Sequence, residues 1–398
     1  MGHPDGWVGQ LAVLGAPLEL QVHLIEHPDA RGSDRISEAL QPPIGLARNL
    51  PITIIEAAHY IPNDVIPTMY TPDFVYEFTW AAGQIPSGHN AQLFQCKTPT
   101  MQPQISPVRE YFITLQDAIV DALESLSGAG QFQSSDLPGP DGTLSRPRVL
   151  EDGEHIEKAA VQFTHSRGAS LPDAATQRNP HLAGLGFQAT AISLIVHPRN
   201  PYVPTTHANL RFFLVEADDP FWYFGGGFDM TPYYGFEEDA RHWHEQALAA
   251  TGDHYAKLKT ACDDYFYLAH RNECRGVGGI FFDDWQEGGF DESFALTRRV
   301  GDHFLPAYRP IFERRVSAPY GERERDWQLY RRGRYAEFNL AIDRGTKYGL
   351  QSGRRVESVL ASLPPMATWK YDYQPEPGTP EARLYTDFLP PRDWIPSA

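Results

Sequence analysis

The stretch Ser193–Phe213, SLIVHPRNPYVPTTHANLRFF, holds two runs of period two around a proline-rich connection. In the first run Ser193, Ile195 and His197 share one side, while Leu194 and Val196 take the other. In the second, His207, Asn209 and Arg211 share a side, opposed by Ala208, Leu210 and Phe212. Side chains alternate across a strand, so each run predicts a strand with one purely apolar face. Pro198, Pro201 and Pro204 exclude a regular ladder between the runs and leave a stiff loop. The pair therefore turns Ser193, His197, His207, Asn209 and Arg211 away from an apolar layer, into one space. A solvated strand face is also polar, but it ordinarily carries Lys, Glu and Thr. Two His, an Asn and an Arg supply donors, an acceptor and a titrating group, the set an anionic ligand needs.

C-terminal to this pair, Phe221–Phe228 (FWYFGGGF) reads as an aromatic strand running into three glycines, followed by Asp229. No Lys or Gly-x-Gly-x-x-Gly follows, which argues against a phosphate loop. The glycines fit either close approach of backbone to a flat ligand or a bulge. From Phe236 the period becomes helical, with Ala240, Trp243, Ala247 and Leu248 inward, His244 beside that stripe and His242 toward water. A second helix, about Tyr255–Asn272, is expected to bury Leu258, Cys262, Tyr265, Phe266 and Ala269, with His270 on the same side. Gly276–Asp284 reads as a strand, and Phe290–Tyr320 and Glu322–Tyr330 as Arg-rich helices. Tyr335–Asp343 (YAEFNLAID) alternates, so a strand is predicted there. Arg344-Gly345-Thr346 reads as a turn, and Gly349–Arg355 as a loop. Asp343 and Arg344 at the strand end are candidates for catalysis or for an ion pair.

N-terminal to the pair, Ser106 is placed to cap a helix whose apolar residues run from Val108 to Leu126. A Gly/Pro/Ser-rich loop over 131–148 and a strand region over 149–164, turning at Asp152-Gly153, come next. Residues 1–104 differ in character, with 4 Lys and Arg against 10 Asp and Glu, and 12 of the 34 prolines. Trp7–Leu14 and Ile52–Ile55 are candidate short strands there, and His23, His27, His59 and His89 are scattered without a pattern.

With 398 residues, 41% hydrophobic and 12% aromatic, the chain is expected to be globular. A net charge of −17 without a basic stripe excludes nucleic acid as the expected partner. No apolar run has the length of a membrane span, and the cytoplasm is the expected compartment. Cys96, Cys262 and Cys274 lie too far apart for a thiolate metal site or a disulfide framework.

Over about residues 105–398 the sequence closely resembles oxygen-dependent coproporphyrinogen III oxidase. The segments that carry the resemblance are Ser193–Phe213, WYFGGGFDMTPYYGFEEDARHWH, CDDYFYLAHRNE, GGIFFDD, and YGERERDWQLYRRGRYAEFNLAIDRGTKYGLQSGRRVES. Residues 1–104 fall outside it as an extension. Inside it, GPDGTLSRPR (139–148) and VQFTHSRG (161–168) depart from the family pattern. The resemblance implies an α+β fold, a large antiparallel sheet flanked on both faces by helices. It also implies a homodimer formed through 335–370.

Carried over residue by residue, the family's general acid falls on His207, and its proposed metal-binding histidines on His197, His207, His244 and His270. Its substrate contacts fall on Ser193, on Asn209, Leu210 and Arg211, and on Gly353, Arg354 and Arg355. The aspartate proposed to hold pyrrole N–H groups falls on Asp343, with Arg344 beside it. The implied reaction turns two propionates of coproporphyrinogen III into vinyls, giving protoporphyrinogen IX, with O2 as co-substrate, no organic cofactor, and a divalent metal cation as an option. Two other readings are a redox metalloenzyme built on the four histidines and a porphyrin-binding protein without turnover. The radical route to the same product needs a clustered three-cysteine motif that these cysteines cannot form.

Overall fold

The computed structural model describes residues 103–170, 182–217, 219–351 and 354–395, and before them the backbone of the strands alone. The chain divides into one compact unit of residues 1–102 with 289–291 and another of 103–288 with 292–398. In the first, Trp7–Val13 pairs antiparallel with Glu19–Leu24 and Ile52–Ile54. Phe74–Gln84 is the central partner of Thr68–Tyr70, Asn90–Cys96 and Thr100–Met101. Both short strands expected there are present; the histidine side chains at 23, 27, 59 and 89 lie outside the described residues.

The second unit is built on an eight-stranded antiparallel sheet. Its long strands are β1 (Leu144–Glu151), β2 (Ile156–Gly168), β3 (Phe187–Pro198), β4 (Thr205–Val215), β5 (Trp222–Thr231) and β6 (Gly278–Trp285). They lie in the order β6-β5-β4-β3-β2-β1, with Gln133–Ser134 and Leu137–Pro138 at the β1 edge. Neighbours in sequence are neighbours in space; short connections join β1 to β2, β3 to β4 and β4 to β5, whereas two helices and a small hairpin lie between β5 and β6. Asp152, in the turn before β2, takes φ 55, a left-handed conformation that Asp tolerates better than most residues.

Helices cover both faces, so the fold is α+β. On one face lies α1 (Ile105–Ser127), which buries Val108, Phe112, Leu115, Ile119 and Leu123 at helical spacing. Ser106 is not its cap. Gln104 holds that position without a side-chain bond, and Ser106 is already inside the helix. Leu115 and Ile119 pack beside Ile192, Leu210 and Phe228 from the sheet and Val300 and Phe304 from the helix that ends at Arg315. Among the described residues no helix is long and apolar enough to cross a membrane.

On the other face stands α5 (Glu322–Ala341), after α2 (Glu237–Thr251), α3 (Tyr255–Tyr265) and α4 (Gly289–Arg315). The strand expected over Tyr335–Asp343 is therefore helix. Trp327, Tyr330, Tyr335 and Phe338 are buried at helical spacing, whereas Leu340 is 50% exposed, so the apparent alternation does not mark a buried face. Buried Glu157 of β2 ties α5 to the sheet by accepting from Arg325 and Arg332. Burial alone would raise its pKa, but the hydrogen bond from Arg325 and the charges of both arginines hold it below the usual range.

The helix expected to reach Asn272 stops at Tyr265. Tyr267–Leu268 and Glu273–Cys274 then form a small hairpin, which puts His270 in its turn. The turn expected at Arg344 instead opens α6 (Arg344–Gln351), so the loop expected from Gly349 begins only after Gln351; α7 (Val356–Leu360) follows.

Candidate active site

A cavity of about 1490 Å³ lies between the sheet and the layer containing α5 and α6. The register aligns its floor in rows across four strands. Ala160, Ile195, His207 and Asp229 form one row, and Gln162, Ser193, Asn209 and Gly227 the next. Thr164, Ala191, Arg211 and Gly225 form a third. Small residues dominate the last two rows, so much of the floor stays low and flat. Gly227 is needed for a definite reason: a Cβ there would lie 2.0 Å from the Ile280 carbonyl oxygen, and its φ of 142 is one that residues with a side chain rarely adopt. The ladder between β5 and β6 also shifts register between Phe224 and Gly226, so the glycine run is both a bulge and a close-approach site. Beyond these rows the floor turns aromatic, with Phe213 stacked between Phe187 and Tyr223.

Charges concentrate at the opposite end. His207 places Nδ1 3.0 Å from Oδ1 of Asp229. Asp229 is buried and also accepts from Arg275 through Nε (3.1 Å) and Nη2 (2.7 Å). Arg275 is itself enclosed by the rings of Phe266, Tyr335 and Phe338. Burial would raise the Asp229 pKa, but the Arg275 charge and the His207 bond carry it below the ordinary value. Asp229 is thus a carboxylate, and the proton it accepts sits on Nδ1 of His207. That leaves Nε2 without a partner among the described residues, on a side chain 23% exposed that lines the cavity.

Asp343 caps α6, its Oδ2 accepting from the Thr346 amide at 2.6 Å, while Oδ1 accepts from the Tyr265 hydroxyl at 2.9 Å. Burial opposes ionisation, yet the Thr346 and Tyr265 bonds and the nearness of His207 lower its pKa. Each oxygen keeps a further acceptor position. Arg344 does not pair with Asp343 but reaches Asp283, which also takes Arg211.

Ser193, Asn209, Arg211, Arg354 and Arg355 line the same cavity. Leu210 does not: its side chain is 3% exposed and belongs to the α1 face, as the alternation of β4 requires. Gly353 lies outside the described residues. Asp229, Arg275, Asp283 and Tyr265 were not singled out as site residues by sequence reading. Only Asp229 had a local signal, two residues beyond the last glycine of the run at a position sharing a strand face with Gly225 and Gly227.

Residues 107–394 match the sequence family described as Coproporphyrinogen III oxidase. The chain belongs to the coproporphyrinogen III oxidase family. It is an oxidoreductase of haem biosynthesis, and coproporphyrinogen III is the substrate that fits the family. A porphyrinogen with four propionates suits a flat floor bordered by arginines.

The metal set expected from the four histidines does not assemble. His197 is wholly buried, with Nδ1 3.2 Å from the Thr205 hydroxyl and Nε2 3.0 Å from the Ser362 carbonyl. His244 is spent on the Val277 carbonyl and the Tyr255 hydroxyl. His270, expected to face inward, is nearly half exposed and bonded to Glu337. Among the described residues no three or more His, Cys, Asp or Glu are grouped to hold a metal ion. Cys262 and Cys274 are buried free thiols, and burial raises both pKa values, that of Cys274 to about 11.

Proposed function

We propose that the chain catalyses oxygen-dependent oxidative decarboxylation of two propionates of coproporphyrinogen III, giving protoporphyrinogen IX. The supporting observation is one cavity that joins a flat floor, four arginines and the His207–Asp229 pair. For each propionate, the substrate loses CO2 and a hydride equivalent as the vinyl forms. O2 takes the two electrons with that hydrogen and one proton, leaving as H2O2. The sequence carries no nucleotide-binding loop and no clustered cysteines, which favours O2 over a radical route.

The residues divide the work by charge. Arg211, Arg344, Arg354 and Arg355 offer forked N–H donors to carboxylates and fix which propionate reaches the reacting end. Asp343, held ionised, accepts pyrrole N–H groups and makes the electron-rich ring a better donor toward O2. His207 supplies or removes a proton at Nε2 while Asp229 fixes its tautomer. The aromatic end of the floor keeps the macrocycle away from water.

The same reading places the protein in the cytoplasm as a homodimer. Leu340, Met366 and Trp369, each about half exposed or more, lie in 335–370 and supply apolar surface for a second copy. Protein incubated with coproporphyrinogen III should form protoporphyrinogen IX and release two CO2 per substrate in air and none in an anaerobic chamber. Equal anaerobic turnover would overturn the role of O2. Tight porphyrin binding without turnover in air would make the chain a binding protein.

A further inference from the structure

Arg211 comes from β4 and Arg344 from α6, yet the two share one internal carboxylate. Asp283, on β6, accepts from Nη2 of Arg211 at 2.7 Å through Oδ1 and from Nη2 of Arg344 at 3.0 Å through Oδ2. The Asp284 amide also donates to Oδ1 at 3.1 Å, which fixes the carboxylate from behind. Nη1 of Arg211 is tied to Asn209 at 2.9 Å. Both guanidinium groups rest on rings, Arg211 5.9 Å from the Phe281 centroid and Arg344 4.9 Å from that of Tyr265. Those rings stack at 4.3 Å and 8°. All six side chains line the cavity.

Arg211, Arg344 and Asp283 together carry a single net positive charge, while the nearby Asp343 carboxylate is already engaged by Tyr265 and Thr346. The N–H groups not used on Asp283 and Asn209 remain available as a fixed receptor for one more carboxylate. A second incoming carboxylate would meet a corner already neutral and an Asp283 oxygen close by. We propose that Asp283 is a specificity-determining positioning residue, which locks Arg211 and Arg344 into a receptor for one substrate carboxylate and lets it go again once reaction has occurred. The proposal rests on the functional reading above, because it is the propionates of a tetracarboxylate that the corner has to count. The lowered pKa of Asp283, set by Arg211 and Arg344 against the penalty of burial, agrees with a permanent anion at this place.

Removing the charge while keeping the shape separates this role from a structural one. In Asp283→Asn, loss of repulsion should tighten binding of coproporphyrin III, read by fluorescence quenching at low salt, by about tenfold. The advantage should shrink as salt rises. KM for coproporphyrinogen III and kcat should fall together, because product carboxylates leave a doubly positive corner slowly. Asp283→Glu should restore values near the parent's, and Asp283→Ala, which frees both arginines, should bind more weakly than Asp283→Asn. Unchanged or weaker porphyrin binding in Asp283→Asn would overturn the proposal and leave Asp283 a structural ion-pair partner. If the parent protein neither binds nor turns over the tetracarboxylate, the functional reading fails instead; an active parent with an unaffected variant sinks only the role of Asp283.

Discussion

His197 and His207 stand on the same face of the sheet, close together on neighbouring strands, and they are built for different tasks. His197 is covered by the Ser362 carbonyl and the edge of Tyr335, and both its nitrogens are consumed. Burial and then the Arg332 charge push its pKa well below 6.5. His207 sits where that cover ends, with one nitrogen fixed by Asp229 and the other left for the cavity. The strands are alike at the two places; the layer above them differs. A histidine with both nitrogens engaged is part of the framework, while one with a nitrogen to spare can move a proton.

That contrast can be broken experimentally. His207→Ala should lower kcat by about 10²–10⁴-fold, the usual worth of a general acid or base, while coproporphyrin binding persists. Loss of binding with unchanged kcat would make His207 a holder of substrate. Next in size is Arg211→Ala, which removes a charge-paired contact worth roughly 2–5 kcal/mol, or upward of about 30-fold in affinity. Unaltered affinity would remove Arg211 from the carboxylate sites. His197→Ala should leave turnover per folded molecule near the parent's and cost about 1–3 kcal/mol in urea unfolding, from buried groups left unpaired. A stable but inactive His197→Ala protein would erase the distinction between the two histidines.

A smaller effect concerns pH. Burial depresses the His244 pKa from 6.5 to about 3. The unfolded chain therefore takes up a proton that the folded chain refuses. Its contribution to stability is full above pH 6.5 and fades as pH falls toward 3. In His244→Leu the slope of stability against pH in that window should lessen by up to about 1.4 kcal/mol per pH unit, and an unchanged slope would count against a neutral buried His244. The smallest effect should come from stringent chelation, since the four histidines are dispersed among separate partners. Activity that tracks stoichiometric metal content would reverse that expectation.

The strand pair at 187–215 and the helix at 105–127 were legible because their apolar periodicity is long and each has one buried face. Nine residues at 335–343 fitted period two equally well. Their helical phase was fixed by Trp327 and Tyr330 further upstream and by the packing of Tyr335 against Ala160 and Ile195. His270 was misplaced because a helix that looked continuous stops at Tyr265 and gives way to a hairpin.

By itself the sequence determined which side chains share a strand face and what chemistry that face carries, because alternation is a local consequence of backbone geometry. Together with the family match, it also determined the class of reaction. Only the tertiary structure decided which of those side chains keep a free atom. Asp229 lies 22 residues from His207, Asp283 72 from Arg211, and Ser362 165 from His197. Such partners are chosen by strand register and by the layer that folds over the sheet, and neither is encoded in the spacing of neighbouring residues.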